Sequence, residues 1–260
     1  MNIGAPRKRF GQHFLTDRRV LAQLLAAFAP AREQHVLEIG PGRGALTGAL
    51  AGRVAHLTAV EIDRDLAAQL RQKFSPQRVR VVQADILKFS LKDAAADGQL
   101  RVIGNLPYNI STPLLFHLLS QAQLIRDMLF MLQREVALRL AAPPGGKNYG
   151  RLTVTAAVEA DCELLFDVPA SAFAPPPKVA STVVRITPKA QPARAREPKV
   201  FEEVVRAAFG QRRKTLRNAL AQLAGPAHFA RAGVDSSLRA EALAPAQFIA
   251  LADALYDAGA

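Results

Sequence analysis

The amino-acid sequence predicts an α/β fold, in which a largely parallel sheet is covered by helices on both faces, followed by a smaller all-helical domain. Three observations predict it. Short apolar segments alternate with amphipathic helical patterns between residues 35 and 140. A glycine-rich turn, residues 40–44, follows the first of these segments. After a stretch rich in proline, alanine and arginine, residues 188–198, only helical patterns occur.

The elements follow in chain order from their periodicity. The apolar face of a first helix is formed by Val20, Leu21, Leu24, Leu25 and Phe28. Pro113 is suited to the first turn of a later helix that Ser111 or Thr112 can cap. The predicted helices cover residues 20–28, 45–50, 65–74, 113–119, 135–140, 200–209, 213–223, 227–232 and 246–256. The predicted strands cover residues 35–39, 57–60, 79–82, 100–103, 128–132, 152–158 and 181–186, the last two as an antiparallel addition at one edge.

The bulk composition limits the partners and the kind of site. Residues 1–187 are predicted to form the α/β domain with a basic N-terminal arm, 188–198 a linker and 199–260 the helical domain. The formal net charge of +12 favours polyanions, nucleic acid before an anionic membrane surface. No apolar run approaches the ~18 residues of a spanning helix. The single cysteine, Cys162, excludes an internal disulfide and a cysteine-cluster metal site. We expect a cytoplasmic monomer without metal or membrane contact.

A glycine-rich turn and a later carboxylate predict a nucleoside cofactor site. In the turn Gly40-Pro41-Gly42-Arg43-Gly44 the glycines let the backbone approach a ligand closely. Glu61 lies 21 positions after Gly40, at the end of the second strand, where a carboxylate can accept both hydroxyl hydrogens of a ribose. NAD and S-adenosylmethionine both suit this plan. The G-x-G-x-G spacing, and the backbone donor that Pro41 removes, favour S-adenosylmethionine.

Asp85 follows the third strand, at the sheet edge where such folds bind ligands. Its carboxylate can receive the adenine amine of a cofactor, with Ile86 packing on the ring. The alternative is a loop aspartate that caps a turn.

The tetrapeptide Asn105-Leu106-Pro107-Tyr108 follows the fourth strand and predicts methylation of a planar amine. The exocyclic amine of adenine is a poor nucleophile because its lone pair is delocalised into the ring. Two acceptors aimed at its hydrogens can free that lone pair: the side-chain carbonyl of Asn105 and a backbone carbonyl that Pro107 holds in place. Tyr108 offers a ring on which a flipped base can stack. No strong general base is required, because the methylated amine is acidic enough to lose its proton to water or a weak acceptor. Positioning and stabilisation of charge on the amine drive the transfer.

A second aromatic ring is needed to sandwich a flipped base, and Phe173 is the candidate. It precedes Pro175, Pro176 and Pro177, which stiffen the segment that would present it. The alternative is a buried phenylalanine under a proline-rich loop.

These motifs together resemble the KsgA-type small-subunit rRNA adenine dimethyltransferases, whose relatives include the eukaryotic Dim-type enzymes and mitochondrial transcription factor B. The resemblance spans nearly the whole chain. It is carried by residues 9–15 (RFGQHFL), 38–42 (EIGPG), 61–63 (EID), 84–85 (AD), 104–111 (GNLPYNIS), 149–152 (YGRL), 173–179 (FAPPPKV) and 209–218 (FGQRRKTLRN).

The resemblance implies a Rossmann-like S-adenosylmethionine-dependent methyltransferase sheet in residues 1–187 and an RNA-docking role for residues 199–260. It implies dimethylation of two adjacent adenosines near the 3′ end of small-subunit rRNA, in a pre-ribosomal 30S particle, and a role in ribosome biogenesis. It also implies cofactor contacts, with that of His13 made through its backbone or its imidazole. These contacts are His13, Leu15, Gly40, Glu61, Asp85 and Asn105.

Basic residues predict an RNA surface. Between Arg194 and Arg217 there are eight basic residues against three acidic ones, and Arg213, Lys214 and Arg217 recur at helical spacing. With the N-terminal arm, this helix can clamp phosphates on both sides of the site, although an ordinary solvated helix has the same pattern. The predicted RNA contacts are Arg7, Lys8, Arg9, Arg212, Arg213, Lys214 and Arg217. Tryptophan is absent, so base stacking falls on Phe and Tyr.

Three alternatives stay open on the sequence. The first is an adenine methyltransferase for large-subunit rRNA or for DNA, which shares the cofactor turn and the N-x-P-Y logic. The second is a non-catalytic assembly or transcription factor of the same fold. An NAD oxidoreductase is the most distant of the three.

Overall fold

The computed structural model describes residues 12–95, 98–107 and 110–259, which divide into two compact units. The first is built from residues up to 137 and from residues 163–188, and the second from residues 138–162 and from 189 onwards. This division differs from the predicted domains in residues 138–162, which the sequence assigned to the α/β domain. They group with the C-terminal helices because Tyr149 and Val154 are buried in the core of the second unit.

The elements are named in chain order. The strands are β1 (Phe14–Leu15), β2 (His35–Ile39), β3 (His56–Glu61), β4 (Arg80–Gln83), β5 (Leu100–Asn105), β6 (Ile125–Gln133), β7 (Ala160–Val168), β8 (Phe173–Ala174) and β9 (Ser181–Pro188). The helices are α1 (Arg18–Phe28), α2 (Ala45–Leu50), α3 (Arg64–Lys73), α4 (Lys92–Ala95), α5 (Ser111–Leu119), α6 (Arg134–Leu140), α7 (Arg151–Glu159), α8 (Pro198–Gly210), α9 (Leu216–Ala219), α10 (Pro226–Ala232) and α11 (Pro245–Gly259).

The central sheet confirms the predicted α/β class. Among the described residues, seven strands lie in the order β4-β3-β2-β5-β6-β9-β7. The pairs β4–β3, β3–β2, β2–β5 and β5–β6 are parallel, and β9 runs antiparallel to β6, as predicted for residues 181–186. The edge strand beside β9 is β7, which the sequence did not predict as a strand. The strand order reverses between β2 and β5, and ligands of such sheets bind at the carboxyl ends of the strands beside this point.

Two features of β5 hold the strands on either side of it together. Gly104 lies so close to β2 that a Cβ atom there would be 2.5 Å from the Ile39 carbonyl oxygen, so only glycine fits. Arg101 pairs with Asp127 of β6 through two bonds of 2.6 and 2.7 Å, and its guanidinium lies 4.1 Å from the Phe28 ring centre at the end of α1. Sheet and helix are therefore fixed next to the point where the strand order reverses.

The first unit has its own core, packed between the sheet and the helices around it. Its largest fully buried side chains include Phe28, Leu50 and Ile103. Among the described residues, no helix has both the length and the apolar character that a bilayer-spanning segment needs.

The second unit shows that the strand predicted at 152–158 was wrong, because these residues form α7. Short apolar runs fit a helix or a strand equally well, and tertiary packing decides. Here Val154 and Val158 are buried against α8 and α11, while the Thr153 hydroxyl accepts from the Gly150 N–H (3.1 Å) at the start of the helix. Tyr149 closes the same core by donating to the Leu243 carbonyl (2.7 Å).

Two other helix starts differ from the prediction. The helix predicted at 213–223 is reduced to α9, Leu216–Ala219, because the N–H groups of Leu216 and Arg217 donate to Leu238 and Ser236 carbonyls instead of continuing a helix from residue 213. Arg213 and Lys214 consequently lie in a turn, so the basic helix face does not exist as predicted. Ser111 does not cap α5, because its hydroxyl donates to the Pro107 carbonyl (3.1 Å).

Candidate functional site

A cavity opens in the first unit at the carboxyl ends of β2, β3 and β5. Its walls are residues 12–15, the glycine-rich turn at 40–43, the end of β3, Asp85 and residues 104–107. It lies where the strand order reverses, the usual ligand position in such sheets. The cavity brings together all six residues that the resemblance named as cofactor contacts: His13, Leu15, Gly40, Glu61, Asp85 and Asn105.

The glycine-rich turn is held by the Glu61 carboxylate. Gly40 and Gly42 have φ values of 66° and 56°, which favour glycine. The Gly42 N–H donates to Glu61 Oε2 (3.0 Å), and the Asp63 N–H donates to Oε1 (2.9 Å). Burial raises the pKa of Glu61, opposed by these two backbone donors. Each carboxylate oxygen still has a lone pair that can accept from a ligand hydroxyl.

Glu38, at the end of β2, is a second buried carboxyl group in the wall of the cavity. It is 2% exposed, and within the described part of the chain its Oε2 has no hydrogen-bond partner. Burial raises its pKa to about 7, and the charge of Glu61 adds to the rise. Glu38 belongs to the E-I-G-P-G motif of residues 38–42, but the sequence predicted no role for it. The sequence signal that could have identified Glu38 is a single carboxyl residue in an otherwise apolar strand. Carboxyl groups are rarely fully buried, so one at such a position indicates a functional group.

Asp85 caps a turn, as the alternative expected, and lies in the wall of the cavity; its contact with the adenine amine of a cofactor stays a prediction. Its Oδ1 accepts from the Leu87 N–H (3.0 Å), so it caps a short 3₁₀ turn, and it also lines the cavity. Ile86 and Ile62 lie in the same wall, and Ile62 is 45% exposed. Ile62 was not predicted, although an exposed isoleucine directly after Glu61 offers an apolar surface to a flat ring.

Asn105 ends β5 with its amide in a defined orientation. Its Nδ2 donates to the His13 carbonyl (2.8 Å), which leaves Oδ1 as an acceptor. The Pro107 carbonyl already accepts from the Ile110 N–H (3.2 Å) and from the Ser111 hydroxyl. The Leu106 carbonyl accepts no hydrogen bond from any residue that the structure describes, and Leu106 lines the cavity. Two acceptors therefore belong to one short loop.

The segment that covers this loop is the N-terminal strap, residues 12–17. β1 within it pairs antiparallel with β8, and the Thr16 and Asp17 N–H groups donate to the Ala172 carbonyl (2.9 and 3.2 Å). Phe14 packs on the glycine-rich turn so closely that a Cβ at Gly42 would be 2.9 Å from its ring. The imidazole Nδ1 of His13 lies 2.8 Å from the Pro175 carbonyl oxygen. Both the carbonyl and the Nδ1 of His13 are thus engaged within the protein.

Phe173 is 3% exposed and belongs to the core of the first unit, packed with Val20 and Leu24 of α1 and with Val183. This placement matches the alternative of a buried phenylalanine. Stacking on a flipped base stays a prediction, and it would require the ring to leave this core.

The predicted RNA contacts fall into three groups. Arg7, Lys8 and Arg9, like Tyr108 of the predicted catalytic loop, lie outside the described residues. Arg212 is exposed, but its guanidinium donates to the Lys147 and Tyr149 carbonyls (2.6 and 3.2 Å) and to Glu241 (3.4 Å) of the second unit. Arg213, Lys214 and Arg217 are exposed and form no ion pair with any described residue.

Known proteins resemble this chain over nearly its whole length. The family model for ribosomal RNA adenine dimethylase matches residues 4–257. Ribosomal RNA small subunit methyltransferase A of Bordetella bronchiseptica is 52% identical over 262 residues, 100% of this chain and 98% of the relative. The protein of that name from Pseudomonas fluorescens is 52% identical over 254 residues, 96% and 94% of the two chains.

Two solved structures share the fold. A 23S rRNA methyltransferase, ErmE, has a TM-score of 0.71 at 28% identity and covers 94% of this chain and 99% of its own. A dimethyladenosine transferase from Plasmodium falciparum has a TM-score of 0.78 at 24% identity, with coverages of 92% and 96%. Given the cavity, the loop that ends β5 and the full-length match, the chain belongs to the ribosomal RNA adenine dimethylase family and is an S-adenosylmethionine-dependent methyltransferase.

Proposed function

We propose that this protein dimethylates the exocyclic amines of two adjacent adenosines near the 3′ end of small-subunit rRNA, in a pre-ribosomal 30S particle. The observation that carries the proposal is the Asn105 amide, held by the His13 carbonyl in the same cavity as Glu61. The small-subunit target is supported by relatives about 50% identical over their full length, whose names give that subunit.

The residues of the cavity fit S-adenosylmethionine. Glu61 is suited to the ribose hydroxyls, Asp85 to the adenine amine, and the apolar side chains of Ile62 and Ile86 to the adenine ring. Glu38 Oε2 is a buried acceptor in the cavity wall that has no partner among the described residues. A negative charge on Glu38 is costly when buried alone, and a cationic donor of the ligand would compensate it. When bound, the cofactor supplies an electrophilic methyl group on a sulfonium.

The protein's own contribution is to prepare the amine. Asn105 Oδ1 and the Leu106 carbonyl accept the two amine hydrogens, so that the nitrogen lone pair is withdrawn from the adenine ring and faces the methyl donor. The Pro107 carbonyl is already used within the loop, which makes Leu106 the better second acceptor. Charge developing on the amine is stabilised by these acceptors. The proton is then lost to water, because the methylated amine is acidic enough to need no dedicated base.

A labelling assay tests the function. The protein is incubated with S-adenosylmethionine carrying a labelled methyl group and with immature small subunits, large subunits or duplex DNA. We expect N6-dimethyladenosine in small-subunit rRNA alone. Label confined to large subunits, the target in the name of the ErmE neighbour, or to DNA would contradict the proposal. Calorimetry without cofactor binding would favour a non-catalytic factor of the same fold.

Replacing Glu61 by alanine is expected to weaken cofactor binding by about 10- to 100-fold, because a charged acceptor is lost and the Gly42 and Asp63 N–H groups lose their partner. Calorimetric titration with S-adenosylmethionine measures the change. Glu61→Gln keeps one acceptor oxygen and should lose less affinity. If Glu61→Ala bound S-adenosylmethionine as tightly as the unchanged protein does, Glu61 would not be a cofactor contact.

The RNA surface that we propose comprises Arg213, Lys214 and Arg217, with Arg7, Lys8 and Arg9 of the N-terminal arm as further contacts. The first three are exposed cations without ion pairs in the described part of the second unit. Such cations can neutralise phosphates, and each contact makes binding more sensitive to salt. We propose that Arg212 stabilises the second unit instead, because its guanidinium already donates to two backbone carbonyls and to Glu241.

Replacing Arg213, Lys214 and Arg217 together by alanine is expected to reduce rRNA affinity and to flatten its dependence on salt. Each lost phosphate contact lowers the slope of log K against log salt by about 0.7–0.9. The matched control replaces Arg194, Arg206 and Arg231, three arginines of the same unit that form ion pairs. Binding is measured from about 50 to 200 mM salt. Equal slopes for the two triple variants would contradict the assignment.

The cytoplasmic location and the monomeric state stay predictions from the sequence. Sedimentation of the protein alone, and its distribution between soluble and membrane fractions, would test them.

A further inference from the structure

We infer that the hydrogen bond between Gln12 and Asp63 is a latch that seats the N-terminal strap and thereby positions Asn105. Gln12 is then a positioning residue for the methyl transfer, a role that the sequence motifs did not indicate. The consequence for catalysis rests on the proposed function, whereas the seating of the strap can be measured without it.

The anchor of the latch is a fixed, buried carboxylate. Asp63 is 3% exposed, and its Oδ1 accepts from the Asp65 N–H (3.0 Å) at the start of α3. Its Oδ2 accepts from Nε2 of Gln12 (3.2 Å), the first described residue of the strap. Because Asp63 is fixed at the start of α3, its carboxylate cannot move with the strap. The hydrogen bond from Gln12 therefore holds the strap against Asp63. Hydrogen bonds to charged groups are the stronger ones in proteins.

The latch is one residue away from the group that holds the catalytic amide. Gln12 precedes His13, whose carbonyl accepts from Asn105 Nδ2 (2.8 Å). On the other side of His13, Phe14 pairs with Ala174 of β8. The His13 carbonyl is therefore held from both directions along the chain. Loss of either support lets it move away from Asn105.

The orientation of this amide decides whether it can accept from the substrate. An asparagine amide offers one acceptor and two donors at opposite ends. With Nδ2 engaged by His13, Oδ1 faces the amine. If the His13 carbonyl is displaced, the Asn105 amide can rotate and turn its Nδ2 towards the substrate amine. Two hydrogen-bond donors then face each other, and the amine loses an acceptor. The latch should therefore act on the rate of transfer more than on rRNA binding.

Charge repulsion and its rescue test the latch. Gln12→Glu places a carboxylate against the buried Asp63 carboxylate and should release the strap. Asp63→Asn keeps Oδ1 for the helix start, and the Gln12 amide can turn to accept from the new amide, so this variant should behave almost normally. In the double variant the carboxylate introduced at position 12 accepts from the amide introduced at position 63, and the contact should return. Gln34→Glu is the matched control, because Gln34 Oε1 already accepts from Arg101 and the Ala31 N–H at a distance from the cavity.

We expect Gln12→Glu to lower kcat for rRNA methylation by roughly 10- to 100-fold, with KM for rRNA nearly unchanged, and the double variant to recover most of it. A Gln12→Glu variant with normal kcat, or a double variant as slow as the single one, would overturn the latch. A general loss of folding would lower activity in both and would appear in their melting temperatures.

Hydrogen exchange separates the latch from the proposed function. The Thr16 and Asp17 N–H groups donate to Ala172, so their exchange reports the seating of the strap without any substrate. Gln12→Glu should speed their exchange by at least about tenfold, and the double variant should restore protection. Restored protection in a protein that methylates no rRNA would refute the function and keep the latch. Unchanged exchange in Gln12→Glu would refute the latch alone.

Discussion

Replacing Asn105 by alanine is expected to lower the rate of methyl transfer by about 100- to 1000-fold, the usual loss when one preorganised polar group is removed from a developing charge. The side chain offers Oδ1 to the amine, and alanine leaves the Leu106 carbonyl as the only acceptor of the pair. Single-turnover transfer to immature small subunits, with saturating cofactor, measures the effect. Cofactor binding should be weakened much less, since Asn105 is one of many residues that line the cavity.

Asn148→Ala serves as the matched control for this variant, because it removes the same side chain from a loop of the second unit. Its rate should equal that of the unchanged protein. Near-normal turnover of Asn105→Ala would show that amine activation does not depend on this amide. A complete loss of cofactor binding would instead assign Asn105 to the cofactor.

Replacing Glu38 by glutamine is expected to raise the free energy of unfolding at high pH. The carboxyl group is 2% exposed, and burial with the nearby charge of Glu61 raises its pKa from 4.5 to about 7. A shift of this size corresponds to about 3 kcal/mol between the two protonation states. At neutral pH and above, the unchanged protein must bury a charge that the amide does not carry.

The sign of this effect follows from linkage. A group with a raised pKa in the folded state stabilises it fully below pH 4.5, and this contribution is lost as the pH rises through about 7. The advantage of Glu38→Gln should therefore be small near pH 4.5 and reach about 3 kcal/mol above pH 7. Urea denaturation of the cofactor-free protein across this range measures it. The exposed-carboxyl variant Glu33→Gln should not reproduce the trend. If the difference in free energy of unfolding were constant over the whole range, the pKa of Glu38 would be the same in the folded and the unfolded protein.

The two carboxylates connect stability to the site. Glu38 and Glu61 lie in one cavity wall, and burial raises the pKa of both. Such groups are costly in a fold that has no ligand for them, and perturbed carboxyl groups of this kind cluster at functional sites. We expect binding of S-adenosylmethionine to stabilise the protein increasingly as its concentration rises, as for any ligand of the native state.

Much of the first unit could be predicted because its signals are local. β2 and α2 have the predicted bounds, and the glycine-rich turn, Glu61 and Asp85 fall at the ends of consecutive strands. In a parallel sheet these ends meet at one edge, so sequence spacing alone predicts that the side chains converge. The predictions failed where packing between distant segments decides, as in α7, whose apolar residues fit a strand until the second core buries them.

The basic segment illustrates the same limit. Arg213, Lys214 and Arg217 have the spacing of one helix face, but backbone bonds to residues 236 and 238 place the first two in a turn. The sequence does not distinguish Arg212 from its neighbours, but its exposed guanidinium donates to carbonyls of residues 147 and 149. Which arginines stay available to RNA therefore depends on contacts far away along the chain.

The sequence by itself determined the class of fold, the edge of the sheet that carries the cavity, and the position of the Asn105 loop for which we propose amine activation. These depend on periodicity, on the backbone freedom of glycine and on the chemistry of side chains at fixed spacing. Only the tertiary structure decided which carbonyl orients the Asn105 amide, that Phe173 is buried, and that Glu38 Oε2 lies in the cavity wall without a hydrogen-bond partner among the described residues. The physical reason is that burial and hydrogen-bond partners are properties of residues brought together from distant parts of the chain.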